Sequence, residues 1–254
     1  MRTSTFIIGI VMALTIPIVS IGQNVLLVTQ TTAFSSFNEF PSAGWDANVN
    51  VSIFDQKFES ALRKAPADND FKNLSGVIYI LNYPLGSQEF SISMCQLTMQ
   101  TLHKIYAFVE NGGNAIILMN NERLLKYDEF KSYLKDKFAL ISNTQWYGSD
   151  NGGVIAKFPI NGELLHKDLS GLKIGGCKGS PNLMGWYIPK PGYWEGIPVG
   201  EYTPNRFTSL QRVIGTGRIV FTVDCDYDSV FSDRFIGTFD NYQAAVRLLK
   251  WLAY

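Results

Sequence analysis
The sequence predicts an α/β protein: a doubly wound, three-layer sandwich built on a mainly parallel sheet. Three observations point to it. Four short runs are almost continuously apolar, VLLVT (25–29), VNVSIF (49–54), VIYIL (77–81) and AIILM (115–119), as expected of parallel strands covered on both faces. Segments with helical spacing lie between them, and that alternation builds strand–helix–strand units. A glycine-bearing hairpin followed by one amphipathic helix closes the chain.

The elements follow in order. Residues 93–111 place Met94, Leu97, Leu102, Ile105, Phe108 and Val109 at the three/four spacing of one buried helix face. Asn111-Gly112-Gly113 ends that helix, because glycine takes the left-handed cap conformation at little cost. After the run at 115–119, Asn120 or Asn121 is placed to cap a helix whose face is Leu124, Leu125, Phe130, Tyr133 and Leu134. The succession resembles a flavodoxin-like layer. From about 145 to 210 the pattern loosens into an irregular, aromatic-rich insertion of loops and short antiparallel strands, either extending the sheet or forming a lobe over one edge. Regularity returns with 210–214, the turn Gly215-Thr216-Gly217, and 218–223, which read as a hairpin. The last helix starts near Asp240, where Asp240 and Gln243 fit a capping box, and buries Ala245, Leu248, Leu249 and Leu252.

The first 22 residues differ from the rest. A basic start, an apolar stretch from Phe6 to Val19 and the small residues of Ser20-Ile21-Gly22 have the shape of a secretory signal. The alternative, a retained anchor, is short for a span and would run straight into the first strand. The expectation is therefore a signal peptide at 1–22 and one exported domain at 23–254, with no stable membrane span after cleavage. Asn50-Val51-Ser52 and Asn73-Leu74-Ser75 fit the N-glycosylation pattern.

Charge and cysteine usage exclude some functions. The 22 basic and 22 acidic residues cancel. Nucleic acid and anionic membranes call for a basic face, and no Lys/Arg run supports one. Cys95, Cys177 and Cys225 match no zinc spacing, and His103 and His166 are the only histidines. Neither a metal nor a cofactor is expected. One disulfide, between Cys177 and Cys225, is compatible with the count.

Several pieces together resemble one superfamily. VLLVTQTTAF (25–34), GVIYIL (76–81), VENGGNAIILMN (109–120), YLKDKFALIS (133–142) and the closing GTGRIVFTVDCDYDSVFSDRFIGTFDNYQAAVRLLKWL (215–252) are similar to ThuA-like proteins of the class I glutamine amidotransferase-like fold. The 133–142 stretch resembles that group's short helix followed by Phe-Gly-Ile. The closing segment also looks like gliding-motility-associated domains and the N-terminal domain of an intraflagellar-transport subunit. The resemblance implies a nucleophilic cysteine at the elbow after the fourth strand, with a downstream His–Glu pair. Here Asn120 and Asn121 hold the elbow, and an amide is no nucleophile. The histidines that ThuA-like proteins carry after the first strand and near the end are replaced by Phe34-Ser35-Ser36 and Val223-Asp224-Cys225. The acyl-transfer machinery is missing from the sequence, and the elbow reads as architecture.

Three features remain as candidates. Asp224, Asp226 and Asp228 alternate just past a core strand, where α/β sheets bind ligands. Alternating Asp also opens calcium loops, but Ser229 stands where glycine is needed and Phe235 where glutamate is needed. The competing readings are a solvated acidic turn and a metal-free polar site. Cys95 begins a helix, where the dipole can lower a thiol pKa; with no base near it in sequence, a buried structural cysteine is the better reading. GWYIPKPGYWEGIPVGEY (185–202) carries Trp186, Tyr187, Tyr193 and Trp194 among Pro and Gly. Such aromatics either form platforms that stack on sugars or bury in protein partners, or they close a satellite core over the sheet edge.

Two functions are weighed. The leading one is an exported, non-catalytic binding or scaffold domain for a carbohydrate or a protein, using Trp186, Tyr187, Tyr193, Trp194, Asp224, Asp226, Asp228, Asn120 and Asn121. The other is a ThuA-like hydrolase or metal-assisted enzyme with Asp224, Asp226 or Asp228 as ligand or base.

Overall fold
The computed structural model describes residues 23–29, 40–56, 64–81, 92–118, 124, 126–147, 156–157, 172–174, 184–189, 195–198, 207–222 and 240–254. In chain order these hold β1 (Gln23–Thr29), α1 (Phe40–Ala47), β2 (Val49–Asp55), β3 (Gly76–Ile80), α2 (Ile92–Glu110), β4 (Asn114–Leu118) and α3 (Asp128–Tyr133). After them come β5 (Leu140–Tyr147), β6 (Ala156–Lys157), β7 (Lys173–Ile174), β8 (Met184–Pro189), β9 (Glu195–Pro198), β10 (Phe207–Ile214), β11 (Gly217–Thr222) and α4 (Asn241–Ala253). The signal expected at 1–22 lies outside the described residues.

The main sheet runs β2-β1-β3-β4-β11-β10-β9. The first five of these strands are mutually parallel, and β10 and β9 add antiparallel pairs at one edge. The parallel part has the flavodoxin-like order, as expected. Period-two alternation of the strands divides the core into two layers. Val25, Leu27, Ile78, Ile80, Ile116 and Val220 face α1 and α4. Leu26, Val28, Val77, Tyr79, Ile117 and Phe221 pack with the buried side of α2 and with Phe130, Leu134 and Phe138. Each fully buried aliphatic or aromatic side chain stabilises the fold by about 1.5–3 kcal/mol.

The glycine pairs at 112–113 and 215–217 interlock. Gly112 (φ 103°) and Gly113 close α2 with N–H bonds to the carbonyls of Val109 (2.9 Å) and Phe108 (3.1 Å), a Schellman cap. The β10–β11 turn has glycine first, Gly215 at φ 58°, followed by Thr216, as in a type II′ turn. A Cβ on Gly215 would stand 2.2 Å from the Glu110 carbonyl oxygen, so the hairpin can dock on the helix end only without one.

Three details depart from expectation. The α-helix expected to carry Leu124 on its buried face, α3, begins at Asp128, with Tyr127 as its N-cap in extended conformation (φ −95°, ψ 118°); Asn120 and Asn121, expected as caps, lie outside the described residues. The helical path ends in a π turn, Leu134–Phe138, and Ala139 takes the left-handed conformation (φ 55°) at the position where the resembled pattern has glycine. Asp240 precedes α4, but at φ −99° and ψ 19° it lacks the extended backbone a cap requires, and its side chain makes no capping bond. Within 145–210 the described residues include the short antiparallel strands expected there: β5 pairs with β8, β6 with β7, and β9 joins the main sheet.

Candidate functional site
In an open parallel sheet, ligands bind beyond the carboxyl ends of the strands, at the point where strand order reverses. Here that point lies between β1 and β3, because the chain leaves β1 for β2 on one side and returns past it to β3. The described residues at this end form a rigid floor. Thr29, Ile80, Leu81 and Leu118 are buried. The Leu81 N–H donates to the Leu118 carbonyl at 2.8 Å, and that of Gln56 to the Thr29 carbonyl at 2.8 Å.

Gln56 ties the floor to α2. Its side-chain Nε2 donates to the Lys64 carbonyl and to Thr101 Oγ1, each at 3.1 Å, and Thr101 donates to the Leu97 carbonyl at 2.9 Å. Gln56 is 4% exposed, and its Oε1 is buried without a hydrogen-bond partner among the described residues. Composition gives no signal for this glutamine. Only the end of an apolar run at Phe54, followed by Asp55 and Gln56, marks the strand exit.

Cys95 sits in the first turn of α2, 1% exposed, within the layer of Leu26, Val28 and Tyr79. Burial, helped by the negative charge of Glu129, pushes its thiol up to about 11. A nucleophilic cysteine needs the opposite shift and access to substrate. His103 is exposed on the same helix, eight residues on and so about 12 Å along the axis. It is no base for this sulfur.

The other candidates fall as follows. β4 and β11 are adjacent and in register, Leu118 opposite Thr222. The elbow and the acidic turn therefore leave from neighbouring strand ends. Asn120, Asn121, Asp224, Asp226 and Asp228 themselves lie outside the described residues, as do Tyr193, Trp194, His166, Cys177 and Cys225. Trp186 and Tyr187 lie on β8, paired with Asn143 and Ser142 of β5, so they are carried by a strand and not by a loop. Asn50 is exposed on β2, and Asn73 occupies a left-handed turn (φ 61°) with its carbonyl accepting from Asn24 Nδ2 at 3.2 Å.

A feature missed by sequence reasoning lies at the opposite end of the sheet. An open cleft of about 960 Å³ runs between the start of β3 and the side of α2, lined by residues that include Ser75, His103, Lys104, Asn111 and Asn114. Lys104 pairs with Asp68 at 2.8 Å and holds its carboxyl below the ordinary value. Asp68 is exposed, so this pair contributes little to stability. The described walls of the cleft come from three separate stretches of chain, 68–75, 103–114 and 253–254, which is why no local motif announces it.

No family model and no curated protein matches this sequence. Among solved structures, a cytoplasmic protein of Salmonella typhimurium LT2 is similar over 91% of this chain and 100% of its own, at 11% identity and TM-score 0.54. A second cytoplasmic protein of Salmonella typhimurium is similar over 90% and 98%, at 12% identity and TM-score 0.53. Agd3, a carbohydrate deacetylase, is similar over 91% of this chain but 32% of its own, at 11% identity and TM-score 0.50. Identities of this size show the fold alone. The expectation of export is corrected. The two Salmonella proteins similar over nearly their whole length are named as cytoplasmic, which conflicts with secretion. Among the described residues, no helix is long and apolar enough to cross a membrane.

Proposed function
We propose that this chain is a non-catalytic α/β binding or scaffold domain that recognises a carbohydrate or a protein partner over the carboxyl ends of its strands. The state of Cys95 carries the reading. Cys95, the one cysteine among the described residues, is sealed in the core and held protonated, so it supplies no counterpart to the sulfur chemistry of the resembled enzymes. The elbow residues Asn120 and Asn121 add no nucleophile. Support for a sugar as the first ligand to try is the aromatic segment 185–202, together with the occurrence of a similar fold as about a third of a carbohydrate deacetylase.

A glycan array, with a thermal-shift screen of the whole chain against sugars and divalent cations, tests the proposal. The expected result is stabilisation by one class of sugar that weakens in Trp186→Ala and Trp194→Ala. If no sugar acts, a protein partner remains, to be sought by crosslinking. Stabilisation by calcium or manganese alone, lost in Asp226→Asn, would sink the reading in favour of metal-assisted chemistry at the acidic turn.

A further inference from the structure
At the amino ends of the strands, away from the face just considered, β11 and α4 enclose a pocket of about 380 Å³ lined by Arg218, Arg247, Lys250, Trp251 and Tyr254. Among the described residues that line it, three are cations and none carries a side-chain carboxylate.

Arg218 is held in place. Its Nε donates to Asn114 Oδ1 at 3.0 Å, its Nη2 donates to the Trp251 carbonyl at 3.1 Å, and its guanidinium lies 4.7 Å from the centre of the Trp251 ring. A guanidinium already fixed on its stem loses little freedom on meeting a ligand. Arg247 and Lys250 lie three residues apart on the exposed side of α4, and so are surface neighbours. The carbonyls ending α4 bring partial negative charge to the same place. Those of Trp251 and Leu252 already accept bonds from Asn114, at 3.4 and 3.1 Å. Arg247 and Lys250 set positive charge beside that helix end.

We propose that this pocket binds a phosphate-type dianion, either free phosphate or a small phosphate monoester. The arginine fork fits paired phosphate oxygens, and lysine adds a mobile point charge. The larger cleft shares Tyr254 with the pocket and has room for the organic part of an ester. The site is independent of the strand-end proposal, since none of its residues belongs to that face.

The test is calorimetric titration with inorganic phosphate, glucose 6-phosphate and glucose, at constant ionic strength set with chloride. It compares the wild type with an Arg247→Ala/Lys250→Ala double variant. Both positions are solvent-exposed, so the variant should keep its fold, as its circular dichroism and phosphate-free melting temperature will show. The expected result is saturable binding of phosphate or its ester, weakened about tenfold or more in the double variant. The charge-preserving Arg247→Lys/Lys250→Arg should retain most of it, and glucose should not bind. Tighter binding of the ester assigns a phosphorylated small molecule; equal binding assigns free phosphate. Equal responses of wild type and double variant would overturn the site, leaving only the general stabilisation phosphate gives by exclusion from protein surfaces. Binding of an oligonucleotide and of neither small anion would overturn it too.

Discussion
Ala139 is the residue at which local conformation and side chain disagree. It holds φ 55°, ψ 36° at the end of the π turn and is buried beside Phe138. A residue with a Cβ is disfavoured there, and glycine is not. Ala139→Gly should therefore raise unfolding stability by about 0.5–1 kcal/mol in urea denaturation, despite the added freedom of the unfolded chain. Cys95 gives a second prediction. Its thiol is raised from 9.0 to about 11 in the folded state, so the unfolded chain loses its proton first as pH rises. The stabilisation is complete below pH 9 and is lost between about pH 9 and 11, by roughly 2–3 kcal/mol. Denaturation midpoints of wild type and Cys95→Ala across that range should converge; parallel curves would contradict the burial. That Cys95 is structural was legible in the sequence, because no base stood near it. The role of Gln56 was not, since its partners Lys64 and Thr101 become neighbours only through the β2-to-α2 packing.

Elements were most legible where periodicity and a stop signal coincided. The expected runs at 25–29, 49–54, 77–81 and 115–119 match β1 to β4 to within two residues at each end, and the buried face of α4 is the one read from its spacing. Legibility failed where backbone geometry, not residue type, decides. Asp240 has the right chemistry for a cap and the wrong dihedrals. Extended Tyr127, with no capping side chain, starts α3. The Gly215-Thr216-Gly217 turn was read as a hairpin; its docking on the end of α2 required the fold to be seen. Gly215→Ala combines a positive φ with a 2.2 Å approach to the Glu110 carbonyl. It should cost about 2 kcal/mol or more in chemical denaturation. A loss below about 0.5 kcal/mol would mean that the hairpin can move off the helix.

The whole molecule is a doubly wound layer with distinct features at its two ends: a floor tied by Gln56 beyond the strands, and a cleft with a basic pocket at their start. The doubly wound class was legible because alternating buried strands and helices leave few other arrangements. The basic pocket was hidden because Arg218 and the pair Arg247 and Lys250 are separated in sequence and meet only where α4 crosses the start of β11. The absence of a Lys/Arg run thus described the sequence and not the surface. The central claim is that this scaffold binds without performing sulfur or carboxylate chemistry. The most direct measurement is turnover of ester, amide and acetylated-sugar substrates by the whole chain, with and without calcium or manganese, beside Cys95→Ala and Asp226→Asn. The account predicts no rate above buffer for any of the three proteins; a wild-type rate abolished by either substitution would contradict it.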